Sequence, residues 1–148
     1  MMKKSRRKKC DECKHDYYNA RCGWWGKHLM IAEDKAKKLL KEWQTRLKLD
    51  DWVIVLEPNC RIEDMANDDC AGCCDWTESG KAAKIQILDE QYYGNRIVPF
   101  DFEKTLVHEL LHAKLSLVSE NVCDLQERYM HQIIDDMAKA FVEAKRAK

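Results

Sequence analysis

Two histidines four residues apart, with a glutamate directly after the first, make His108-Glu109-Leu110-Leu111-His112 the stretch of this 148-residue chain best equipped for chemistry. On a helix, positions i and i+4 share a face, so both imidazoles can reach one ion. Zinc prefers a tetrahedral site with Zn–N distances of about 2.0–2.1 Å, and a catalytic site needs a third protein ligand and an open position for water. Glu109 stands beside the first ligand, within reach of that water as a general base. With five His and twelve Glu in the chain, this pattern arises by chance in roughly one shuffled sequence per hundred. Both intervening residues are Leu, and Thr105-Leu106-Val107 precedes them, as a helix half buried under a sheet requires.

The third ligand is expected from the helix that follows. On a wheel at about 100° per residue with Glu127 at zero, Met130, Ile134, Met137, Ala138 and Phe141 fall within roughly 80°, and His131 at about 40°. Both polar residues thus lie in the apolar stripe, where an unpaired polar group is costly and coordination would satisfy it. Glu127 is the first choice and His131 the second. Glu120 and Asp124 project to the same side nearer the helix start, and the ordinary alternative for Glu127 is a surface pair with Arg128 or a Lys.

His108 to His112, followed about fifteen residues later by a Glu on a second helix, resembles the zincin metallopeptidases. Within them it is similar to the gluzincin branch, whose zinc ligands are His, His and Glu. The size and the short gap between the two helices resemble minigluzincins and the small metallopeptidases encoded in bacterial and phage genomes. The resemblance covers residues 29–148, with its specific part in 105–131. It implies a zinc peptidase acting on a peptide or protein substrate, with His108, His112 and Glu127 as ligands and Glu109 and His131 in catalysis. In that mechanism zinc acidifies a water and polarises the scissile carbonyl, Glu109 moves the proton to the leaving amine, and Tyr92, Tyr93, Tyr129 or His131 steadies the oxyanion. It also implies that Ala82 to Leu88 is an edge strand that binds extended substrate. The chain lacks a His-x-x-Gly-x-x-His continuation, which sets the metzincin branch aside. In the SprT-like proteases the third ligand is a His, which here would be His131. The rival readings are such a DNA-associated protease and a metal-binding protein without hydrolysis, against which Glu109 speaks, since binding needs only the ligands.

The eight cysteines suggest metal ligands or reduced thiols. Cys10-Asp-Glu-Cys13 and Cys70-Ala-Gly-Cys73 have the spacing of two thiolates on one tetrahedral ion, so a second, structural zinc could join the N-terminal segment to the domain. A competing grouping uses Cys10, Cys13, Cys22 and His15 or His28, leaving Cys60, Cys70, Cys73 and Cys74 as another cluster. Cys123 reads as a small core residue, and the five Trp as packing residues.

The formal charge is zero, but residues 1–28 carry nine Lys/Arg against three Asp/Glu, and the remainder seventeen against twenty-three. The run Lys3 to Lys9 could touch nucleic acid weakly, or serve as a solvated arm. No apolar run reaches the roughly 18–20 residues of a membrane span, and no apolar segment follows the basic start as in a signal peptide. A cytoplasmic protein without membrane contact is expected, in two parts: a basic, Cys-rich segment over 1–28 and one metallopeptidase domain over 29–148.

The elements that must position these residues follow from periodicity. Ile31, Leu39, Leu40, Trp43 and Leu47 predict an amphipathic helix over 29–48, ended by Asp50-Asp51. Trp52 to Leu56 reads as a strand stopped by Pro58-Asn59. Cys74–Thr77 and Ala82–Leu88 flank a Ser79-Gly80 turn and predict a hairpin with Ile85 and Ile87 facing the core. A loop fills 89–100, Asp101 caps a helix over 102–116, and a last helix runs from about 121 to 144. The expectation is a zincin-like α+β domain: a small antiparallel or mixed sheet, one N-terminal helix, the His-Glu-x-x-His helix and a long C-terminal helix.

Overall fold

The computed structural model describes residues 30–148 except 67–68, 78, 95 and 120–122. The whole segment 1–28, including the basic run and Cys10, Cys13 and Cys22, therefore lies outside the described residues. The chain runs through α1 (Glu33–Arg46), β1 (Val53–Cys60), β2 (Gly72–Thr77), β3 (Ala82–Leu88), the single turn α2 (Glu90–Tyr93), α3 (Phe102–Lys114), the short α4 (Ser116–Ser119) and α5 (Asp124–Arg146). This is an α+β fold on a three-stranded mixed sheet.

Helix α1 buries Ala36, Leu40 and Trp43, one stripe at helical spacing. It starts later than the periodicity predicts because Asn59 holds Ile31 in place: its side chain accepts from the Ile31 amide at 3.1 Å and donates to the Ile31 carbonyl at 3.0 Å. At the other end, Gln44 Nε2 donates to the carbonyls of Leu49 and Trp52, and Lys48 turns the chain with φ 57°. The side chain of Gln44 thereby satisfies carbonyls that a continuing helix would have used.

The strand order is β1-β3-β2, with β1 parallel and β2 antiparallel to β3. The β2–β3 hairpin forms as predicted, beginning at Gly72 rather than Cys74. Strand β1 runs past Pro58 because it is an edge strand, where a residue without an N–H is tolerated. Its ladder slips between Glu57 and Cys60, and Asn59 takes φ 58° there. Strand β3 occupies the centre, which corrects the expectation that Ala82 to Leu88 is an edge. Its four successive residues Ile85 to Leu88 are all buried, as a strand paired on both sides requires, whereas β1 exposes Val53 and Val55 and β2 exposes Asp75 and Thr77.

Helix α3 lies against the sheet and contacts α1, β2, β3 and α5. Asp101 caps it, accepting from the Lys104 amide at 3.1 Å. Leu106, Val107, Leu110 and Leu111 are buried in the core with Ile85, Ile87, Ile134 and Ala138. Each such side chain contributes about 1.5–3 kcal/mol by leaving water. Helix α5 packs through Ile134, Ala138 and Val142, and its end is clamped to α3: Arg146 donates to both carboxylate oxygens of Asp101 at 2.8 and 3.0 Å. Lys145 and Trp43 Nε1 both donate to Glu103. Among the described residues no helix is long and apolar enough to cross a membrane.

Candidate metal centre

His108 and His112 project from consecutive turns of α3 at the margin of its buried stripe, and both are partly buried. Their Nε2 atoms stand 3.2 Å apart. His131 comes across from α5, its ring centroid 4.6 Å from that of His112 and 5.7 Å from that of His108. One ring nitrogen from each of the three falls within 4.8 Å of the others, and among the described residues no other group of three His, Cys, Asp or Glu does so. Two nitrogens held at about 2.05 Å from one tetrahedral ion are about 3.3 Å apart, close to the observed separation. The donor set therefore fits a divalent metal that favours nitrogen.

The rings are prepared for that role electrostatically. Burial, helped by the neighbouring His108 and His131, lowers the His112 pKa to about 4. Burial also lowers that of His108, against the opposing pull of Asp135. Both imidazoles are neutral near pH 7, the form in which a ring nitrogen ligates a metal. Asp135 lies one turn beyond His131 on α5, with Oδ1 3.5 Å from His108 Nδ1 and 3.0 Å from Lys104 Nζ. A carboxylate at Nδ1 leaves Nε2 as the lone-pair nitrogen facing the cluster. Trp76, on β2, lies nearly parallel to His112, at 9° and 6.4 Å between centroids.

Glu109 is 6% exposed, and burial raises its carboxyl pKa to about 8. It lines a cavity of about 640 Å³ together with the three histidines. The far wall carries Tyr93, Val98 and Phe100, and Lys104 and Asp135 also reach the cavity. This volume falls within the range of small-molecule and peptide side-chain sites.

No family model, curated protein or solved structure matches this chain.

His108, Glu109, His112 and His131, all singled out in the sequence, line this cavity together. Glu127 also lines the cavity and is exposed, as His131 is, but its carboxylate is outside the ligand group. The structure thus groups the second choice, His131, with the pair. The wheel treats the stripe on α5 as buried along its whole length. In the fold its buried part begins at Ile134, and Glu127 and His131 both stand on the exposed stretch before it, so proximity to the pair and not burial separates them.

Cys70 and Cys73 are half-buried in the cavity wall beside Cys74, and burial raises Cys70 and lifts Cys74 to about 12. No group of three ligands forms around them among the described residues, and their proposed partners Cys10 and Cys13 lie outside these. Cys123 is exposed at the start of α5, which corrects the expectation of a core residue. Of the tyrosines considered, Tyr93 alone lines the cavity.

Sequence reasoning missed Asp135, Lys104, Trp76 and Gly72. Asp135 and Lys104 were within reach, since Glu127, His131 and Asp135 recur every four residues on α5, as Lys104, His108 and His112 do on α3, and all line one cavity. Trp76 and Gly72 take their places through contacts between elements, which no local pattern encodes.

Proposed function

We propose that the chain is a zinc-dependent peptidase of zincin type, with His108, His112 and His131 as ligands and Glu109 as general base. The observation that carries this reading is a buried carboxyl facing the same cavity as three clustered imidazoles without belonging to their ligand group. Zinc held there would supply Lewis acidity, acidifying a water and polarising a carbonyl. Glu109 would accept the proton and pass it to the leaving amine. A positive charge beside it favours its ionised form, against the burial that raises its pKa. Asp135 would keep His108 in one tautomer, and Lys104 would hold the Asp135 carboxylate in place.

Strand β2 offers the sheet edge nearest the cavity, since Gly72, Cys74 and Trp76 line it. An extended peptide adding to that edge would lie across the histidines. This moves the substrate strand from β3 to β2.

A His as third ligand favours the SprT-like branch over the gluzincin branch. The nucleic-acid contact of that reading would fall to the basic run in 1–28. A metal carrier without hydrolysis is the weaker reading, because a desolvated, non-ligating Glu109 costs stability and gains a carrier nothing.

The test measures zinc per chain and hydrolysis of casein on the same preparation. Bound zinc with cleavage that chelation abolishes supports the proposal. A metal-free protein, or a zinc-loaded one without activity on unfolded substrates, refutes it.

A further inference from the structure

We infer that Gly72 is a positioning residue, whose missing side chain lets β2 seat the Glu109 carboxylate against the strand. The inference rests on the role of Glu109 proposed above. A methyl carbon built at Gly72 would stand 2.7 Å from Glu109 Oε1, 2.9 Å from Glu109 Cγ and 2.8 Å from Thr105 Cγ2. Carbon atoms pack best at about 3.5–4.0 Å, so all three contacts are too close for any L side chain.

Backbone freedom is not why glycine is required here, for Gly94 is the glycine with positive φ among the described residues. Space is the reason. Gly72 is locked in register opposite Ile87, so β2 cannot slide. Thr105 cannot withdraw its methyl easily, because a β-branched χ1 is stiff on a helix and its hydroxyl donates to the Asp101 carbonyl at 3.0 Å. Helix α3 is itself held from behind by α5 through Arg146 and Asp101. The movable atoms are those of Glu109. A side chain at position 72 therefore swings the carboxylate out of its seat or prises β2 from α3.

The experiment compares full-length, zinc-loaded Gly72→Ala with the parent on a fluorogenic casein-derived peptide, and measures melting of the metal-free proteins. Zinc content is expected to stay the same and KM to change by less than about twofold, while kcat falls roughly 100-fold, as a misplacement near 1 Å produces. Gly72→Ala is also expected to lower Tm in the parent and to lower it far less in a Thr105→Ser/Glu109→Ala background, where the clashing atoms are gone. If Gly72→Ala alone fails to fold, Gly72→Ala/Thr105→Ser gives the added carbon room, and its kcat is expected to remain low. An unchanged kcat, or an equal Tm loss in both backgrounds, overturns the inference. Should the parent hydrolyse nothing, the peptidase reading falls. The Tm comparison then decides by itself whether Thr105 and Glu109 fill the space at Gly72.

Discussion

Asp135 on α5 reaches across to α3 and sets its Oδ1 3.5 Å from His108 Nδ1, while Lys104, one turn before His108, holds the same carboxylate at 3.0 Å. Two helices that meet through an apolar core are thus also joined at their cavity side by one carboxylate. Asp135→Asn is expected to weaken zinc binding about 10–100-fold, since an amide orients the ring less strongly. Competition with a chelator of known affinity measures it, and affinity equal to the parent would remove Asp135 from the site.

The two candidates for the third ligand separate by metal content. His131→Ala is expected to empty the site of zinc at micromolar concentration. Glu127→Gln is expected to retain one ion, because its carboxylate is outside the ligand group. The reverse result would restore Glu127 and the gluzincin assignment.

Glu109→Gln tests base against ligand. The amide has nearly the same shape, so zinc content should match the parent while hydrolysis of casein falls by roughly 100-fold or more. Loss of zinc in this variant would mean that Glu109 supports the ligand set instead.

The clamp between α3 and α5 sets an acid limit on stability. Burial would raise both carboxyls, but the hydrogen bonds from Arg146 to Asp101 and from Lys145, Trp43 and Arg146 to Glu103 outweigh it, so both pKa values are lowered. Depressed carboxylate pKa values stabilise the fold above the unfolded pKa near 4, and that stability is lost as pH falls through the folded values. Arg146→Met is expected to lower Tm by about 2–4 °C at pH 7, corresponding to roughly 1 kcal/mol for a partly exposed network. The difference from the parent should shrink towards pH 3. A gap that is constant with pH would assign the loss to packing of the arginine stem.

Local patterns made much of this protein legible before any tertiary contact was known. The i, i+4 spacing puts His108 and His112 on one face of α3 whatever lies around it, because the helix pitch alone sets their separation. Asp101 caps that helix by its own side chain, and the β2–β3 turn is short-range in the same way. What lay beyond reach depended on how elements cross. The angle at which α5 meets α3 decides that His131, and not Glu127 one turn earlier, stands level with the pair. Strand order depends on which strand can be buried on both sides, so β3 went to the centre and the free edge beside the cavity passed to β2. Gly72 and Glu109 lie on separate elements, and their contact exists only because β2 packs on α3. Helical pitch is a property of the chain, whereas the seating of one element on another is a property of the whole core, and it was the latter that brought His131 to the pair.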